Sequence, residues 1–162
     1  MSGTGKSSAL AELGRRGYRV VETDGPEWLR WVPAADDPDG EWIWREDRIT
    51  RLLSTEDEPT LYVSGCVSNQ GRFADRFGAI VLLSAPAEVI IDRVVTRTTN
   101  DYGKGPGERE RILTHLGWVE PLLRASCTHE IDTTRPLDEV VDELVAIGHD
   151  VASPQPDSRR IR

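Results

Sequence analysis

The sequence predicts a single α/β domain built on a mainly parallel sheet. Short apolar runs that read as strands alternate with longer runs of helical spacing over residues 1–147. Strands separated by helices join through right-handed crossovers, which makes the pairing parallel. The third observation is size: 162 residues with 38% hydrophobic content suffice for one core without disulfides or structural metals.

The first predicted helix covers residues 5–16, where Ala9, Leu10 and Leu13 share a face and Gly14 and Gly17 close the run. Residues 18–21 form a β-prone run ending in Glu22-Thr23-Asp24-Gly25, which puts Asp24 at a strand's C-terminal end. Residues 26–42 hold Trp28, Trp31 and Trp42 between Pro33, Pro38 and an Asp36-Asp37-Pro38-Asp39-Gly40 turn, and read as irregular. A helix is expected over 44–53, then buried strands at 61–63 and 79–83 that break at Ser64-Gly65 and Ser84-Ala85-Pro86. Pro86 suits a first helical turn, and Val89, Ile90 and Val94 give residues 86–97 an apolar stripe. Residues 98–107, with three glycines and a proline, form a loop. Ile112, Leu116, Val119 and Leu123 mark a helix that Pro121 kinks, residues 128–131 a last strand, and Leu137, Val140, Val141, Leu144 and Ile147 a last helix. Residues 148–162 are polar and read as a disordered tail after a domain ending at 147.

No apolar run approaches the ~18 residues of a membrane span and no secretion signal opens the chain, so a cytoplasmic protein without a membrane partner is expected. Cys66 and Cys127 lie far apart and read as reduced core fillers. The histidines, His115, His129 and His149, are scattered and make no metal motif. A net charge of −8 excludes general adhesion to nucleic acid. Residues 22–58 carry twelve acids against four bases, whereas residues 93–111 carry five bases against three acids. A local cationic site for a small anion fits that distribution.

Ser2-Gly3-Thr4-Gly5-Lys6-Ser7-Ser8 supplies the last three fixed positions of GxxxxGK[ST]. In that pattern backbone N–H groups cradle phosphates, the lysine reaches the β/γ oxygens, and the hydroxyl holds Mg²⁺. Gly3 and Gly5 let the backbone approach an anion, and the helix beginning near Lys6 adds its positive end.

With SGTGKSS, an Asp24 ending the second strand, the APAEVIIDRVVTR helix before a glycine-containing loop and the EIDTTRPLDEVV ending, residues 1–147 resemble the P-loop small-molecule kinases of the shikimate, gluconate and nucleoside-monophosphate group. The resemblance implies a three-layer sandwich with strand order 2-3-1-4-5. It also implies ATP and Mg²⁺ as cofactors and a small-molecule phosphoryl acceptor. Gly3, Thr4, Gly5, Lys6, Ser7 and Ser8 would hold the nucleotide phosphates, with Ser7 on Mg²⁺. Arg93 and Arg97 would be lid-side arginines, and residues 133–136 would border the adenine. Two departures stand out. Many nucleoside-monophosphate kinases end the third strand in Asp-Gly, where this chain has Ser64-Gly65, which leaves Asp24 as the carboxylate near the metal. The first strand of the fold and the first glycine of the motif would precede Met1, so Met1 is expected to be an internal methionine of a longer chain.

Phosphoryl transfer needs the γ-phosphoryl positioned, its charge neutralised and the acceptor aligned. Lys6, Arg93, Arg97 and Asp24 are the candidate catalytic residues, with Asp24 orienting or deprotonating an acceptor hydroxyl. Against these stand plainer readings: Arg93 and Arg97 as solvated helix-end cations, Asp24 as a turn residue capping Gly25-Pro26, and Arg109 and Arg111 as part of a salt-laced exposed face. Residues 64–72 read equally as acceptor site or ordinary turn, and the tryptophans as acceptor wall or satellite core. The expected activity is that of a small-metabolite kinase. Its alternatives are a nucleotide-binding regulatory protein that transfers nothing and a slow ATPase.

Overall fold

Helices and strands alternate through residues 2–34, 37–55, 60–98 and 100–152, the part of the chain described by the computed structural model. Met1, the Asp36 of the acidic turn, the acids Glu56, Asp57 and Glu58, Thr99 and the tail from 153 lie outside the described residues. The order is α1 (Lys6–Arg15), β1 (Arg19–Glu22), β2 (Leu29–Ala34), β3 (Asp37–Trp44), α2 (Glu46–Leu52) and β4 (Leu61–Ser64). A 3₁₀ stretch (Ser68–Arg76) follows, then β5 (Val81–Ser84), α3 (Ala87–Thr96), α4 (Pro106–Ser126), β6 (His129–Asp132) and α5 (Leu137–Ala152).

β1 and β4 pair in parallel, from Arg19 opposite Leu61 to Glu22 opposite Ser64. β5 and β6 pair likewise, from Val81 opposite His129 to Ser84 opposite Asp132. Each pair forms its own two-stranded sheet, so among the described residues the single sheet of order 2-3-1-4-5 is not assembled. Between β4 and β5 runs a mostly apolar groove of ≈ 180 Å³, lined by Val63, Gly65 and Cys66 on one bank and by residues 79–83 on the other, with Thr4 and Lys6 at the loop. Among the described residues neither β4 nor β5 has a second strand partner.

α1 and α5 cover both strand pairs. Ala9 and Leu13 meet Val140, Val141, Leu144 and Ile147 over Leu83 and Ile131, with Val20 and Tyr62 packed at the side of β1 and β4. Each such fully buried aliphatic contributes roughly 1.5–3 kcal/mol. Arg16 staples the same two helices from outside, donating to Glu12 at 2.9 Å and to Asp142 at 2.5 Å. α3 and α4 share a smaller cluster of Ile90, Val94 and Ile112.

Residues 29–34 and 37–44 pair as antiparallel strands, with Leu29 opposite Trp44 and Trp31 opposite Trp42, where irregular chain over 26–42 and a helix from Trp44 are expected from the sequence. A two-stranded ribbon has only edges, so Pro33 and Pro38 need not donate into a ladder, and the register shifts between Val32 and Ala34 where the prolines gather. The tryptophans divide. Trp44 is buried with Ile49 and Phe73, Trp28 packs against them, and Trp31 and Trp42 are exposed.

Three boundaries also move. α4 starts at Pro106 and runs through Pro121 to Ser126 as one helix. α5 carries on to Ala152, so residues 148–152 are helical and Gly148 is buried. β1 ends at Glu22, which places Asp24 in the turn beyond the strand.

Candidate functional site

The turn before α1 is shaped by two left-handed glycines, Gly3 at φ 78° and Gly5 at φ 89°, a conformation other residues adopt only with strain. A Cβ on Gly3 would stand 2.8 Å from Ile90 Cγ2 and 2.9 Å from the Ile90 carbonyl oxygen, so the loop is seated against α3. Gly5 caps α1 without a side-chain hydrogen bond, and the first turn of α1 holds no acid. The helix therefore sets the positive end of its dipole beside Lys6 and Ser7.

This loop opens onto a cleft of ≈ 1060 Å³ lined by every residue from Ser2 to Ser8. Glu22, Asp24 and Glu27 supply an acidic part of its wall, and Arg93, Arg97 and Arg135 also line it. The structure thus gathers all of the candidate residues, Gly3, Thr4, Gly5, Lys6, Ser7, Ser8, Asp24, Arg93 and Arg97, around a single space.

The arginines reach it in an unexpected way. Arg93 is half-buried and donates to Thr133 Oγ1 at 2.9 Å, to the Thr133 carbonyl at 2.5 Å and to the Gly3 carbonyl at 3.5 Å. Thr133 in turn donates to the Ser84 carbonyl at 3.0 Å. One guanidinium therefore joins the glycine loop, the end of β5 and the turn before α5. Arg97 ends α3 and donates to the carbonyls of Asn100 at 3.2 Å and Tyr102 at 2.7 Å, which fastens the glycine-rich loop to the helix. Glu108 holds that loop from its far side, accepting from the N–H groups of Gly103 and Gly105 at 3.1 Å each.

Arg135 pairs with Glu143 and also donates to the Asp132 carbonyl at 3.3 Å. The Asp132 carboxyl is held below its ordinary value, first by the Thr134 N–H and hydroxyl and then by the charges of Arg135 and Arg93.

On the acidic wall, Thr23 is fully buried and anchors the chain between Glu22 and Asp24. Its N–H and hydroxyl both donate to the Ser64 carbonyl at 2.8 Å, and the Trp44 indole N–H donates to its hydroxyl at 2.9 Å. Glu22 was not among the residues singled out from the sequence. It accepts a hydrogen bond from the Ser7 hydroxyl at 2.5 Å. Its sequence signal is its position at the end of the β-prone run, and strand ends are legible in sequence only to within a few residues, which leaves Glu22 and Asp24 equivalent at that level.

Residues 64–72 stay out of the cleft. Asn69 accepts from the Trp44 N–H at 2.9 Å and donates to its carbonyl at 3.1 Å, while Gly65, Cys66, Gln70 and Gly71 line the groove between the strand pairs. Both cysteines are half-buried along that groove. Arg109 is half-buried and donates to the Lys104 carbonyl at 3.4 Å.

The residues present fit a Mg²⁺-nucleotide. The glycine conformations leave the approach to the loop backbone open, and Ser7 offers a hydroxyl oxygen on the same cleft. Mg²⁺ keeps most of its waters and binds through one or two protein oxygens and phosphates, so a sparse donor set suits it. Among the described residues no group of three or more His, Cys, Asp or Glu side chains gathers as a cation cage, and no helix is long and apolar enough to cross a membrane.

The sequence profile of the AAA domain family matches residues 1–114, which holds the phosphate loop, the cleft lining up to Arg97 and the first turns of α4. No curated protein matches the chain.

Proposed function

From the premise that the chain belongs to the AAA domain family of P-loop nucleotide-binding proteins, we propose that it is an ATP- and Mg²⁺-dependent kinase that phosphorylates a small metabolite. The observation that carries this reading is the shared cleft: the phosphate loop with Lys6 and Ser7, the carboxylate of Asp24 and the lid-side Arg97 all line one space large enough for a nucleotide and a second small molecule.

In that space the N–H groups at the start of α1 hold the nucleotide phosphates, and Lys6 sets its ammonium against the β/γ oxygens. Ser7 and Glu22 stand where Mg²⁺ would bind. The ion supplies neutralisation of charge on the phosphate oxygens when present. Asp24 accepts the proton of the acceptor hydroxyl or orients it, and the loop fastened by Arg97 covers the cleft to exclude water. The test is a panel of hydroxyl- and phosphate-bearing acceptors incubated with purified protein, ATP and Mg²⁺. ADP should form in an acceptor-dependent manner. Asp24→Asn should abolish transfer and leave ATP binding in place.

A second reading rests on Arg93, whose guanidinium is committed to protein oxygens. A nucleotide-binding regulatory protein needs only the loop that Arg93 secures. On that reading the acceptor panel yields no transfer while ATP still binds; phosphate release that ignores every acceptor identifies a slow ATPase.

A further inference from the structure

We propose that the phosphoryl acceptor is a hydroxyl compound that also carries an amine, an amino sugar or amino alcohol, and that Glu27 holds its ammonium. The inference deepens the kinase reading of the cleft and rests on it.

Three observations support it. The first is where the free charge of the cleft lies. Its acids, Glu22, Asp24 and Glu27, all come from the end of β1 and the turn beyond it. Glu22 accepts from Ser7, whereas the carboxylates of Asp24 and Glu27 make no hydrogen bond or ion pair among the described residues.

Secondly, the guanidiniums of the cleft are engaged by the protein itself. Arg93 donates to Gly3 and Thr133, and Arg97 to the carbonyls of Asn100 and Tyr102. Arg135 pairs with Glu143 and donates to the Asp132 carbonyl. Arg45 and Arg48 approach the acidic turn from the start of α2, but they donate to the backbone carbonyls of Leu29 at 2.9 Å and Glu27 at 2.6 Å, and neither is part of the cleft lining. Lys6 serves the nucleotide phosphates on the same reading. A carboxylate or phosphate on the acceptor would therefore meet like charge at this wall, and an ammonium would meet its complement.

Thirdly, Glu27 is held in place. The N–H groups of Trp28 and Leu29 donate to the Gly25 carbonyl at 3.0 and 3.2 Å, which fixes the turn. The carboxylate folds back over Gly25, where an added Cβ would stand 2.5 Å from Glu27 Oε2. Glycine at position 25 thus leaves the space that the carboxylate occupies.

An ammonium has no lone pair, so the hydroxyl is the nucleophile. Its oxygen bonds to the γ-phosphorus, the bond from that phosphorus to the β,γ-bridging oxygen breaks with the electron pair leaving on ADP, and the hydroxyl proton passes to Asp24.

The test uses matched members of the acceptor panel, with ethanolamine, ethylene glycol and glycolate as one series and glucosamine, glucose and gluconate as another. ADP formation is followed for wild type, Glu27→Gln and Glu27→Lys. Calorimetric titration of the same compounds into protein saturated with a non-hydrolysable ATP analogue gives a readout besides turnover. In wild type the amine should exceed its matched acid at least about tenfold in kcat/KM and in affinity. Glu27 is exposed, so added salt should narrow that gap. Glu27→Gln should raise KM for the amine by about tenfold and leave kcat and the KM for ATP near wild type, because the ammonium is held equally before and during transfer. Glu27→Lys should place the acid ahead of the amine. An acid accepted as well as its matched amine by wild type, or a Glu27→Gln variant that keeps the wild-type preference, overturns the assignment. Failure of the kinase reading looks different: ATP binds, no member of the panel receives phosphate, and this inference falls with it.

Discussion

Arg93 donates to both the hydroxyl and the carbonyl oxygen of Thr133, at 2.9 and 2.5 Å, across 40 residues of sequence. Since the same guanidinium reaches the Gly3 carbonyl at 3.5 Å, the geometry of the phosphate loop depends on a residue of α3. Removing Arg93 leaves half-buried carbonyls without a donor. Arg93→Ala should lose about 1–3 kcal/mol of stability and weaken ATP binding together. Arg93→Lys, which cannot span two acceptors in a fork, should recover only part of each. Thermal melts and ATP titrations check this; a melting temperature equal to wild type would remove the clamp.

Arg97 fastens the loop after α3 and touches neither the phosphate loop nor Thr133 among its hydrogen bonds. Its effect should therefore fall on closure over the cleft. Once an acceptor is known, Arg97→Ala should lower kcat by about tenfold or more with a smaller change in ATP affinity. A variant with wild-type kcat would return Arg97 to the role of a helix-end cation.

Hydrogen bonds from Arg15, then Arg16, hold Glu12 down to about 2 from its usual 4.5. A carboxyl held low in the folded state stabilises above its unfolded value, and the contribution disappears as pH falls from about 4.5 to about 2. The melting-temperature gap between wild type and Glu12→Gln should be open at neutral pH and closed near pH ~2. A gap that does not change with pH would show that these pairs contribute nothing.

The groove between β4 and β5 borders two strand edges and is mostly apolar. An added run of about five β-branched residues fused ahead of Met1 should pair with both edges and raise the melting temperature. A polar run of equal length serves as control. Equal melting temperatures for the two fusions would show that the groove takes no strand.

Much of this arrangement was legible in the residues. The phosphate loop declares itself because its needs are local: Gly3 and Gly5 must be left-handed, and Lys6 and Ser7 must follow them at the helix start. The strands and their parallel sense follow from alternation along the chain, whereas which strand neighbours which was implied by the resemblance alone. The hairpin of β2 and β3 was hidden because Pro33 and Pro38 signal irregular chain locally, whereas the pairing of Trp31 with Trp42 is settled only when both strands meet. The partners of Arg93 were hidden for the same reason, since Thr133 and Gly3 are distant in sequence. Glu22 was hidden by a boundary shift of two residues, enough to exchange one acid for another.

The central claim is that the loop from Ser2 to Ser8 binds nucleotide phosphates, and ATP titration of Lys6→Ala tests it most directly. The variant should keep the wild-type melting temperature and lose at least about tenfold in ATP affinity, ~1.4 kcal/mol, because the removed ammonium lies against the most charged part of the ligand. Equal titration curves for wild type and Lys6→Ala would contradict it.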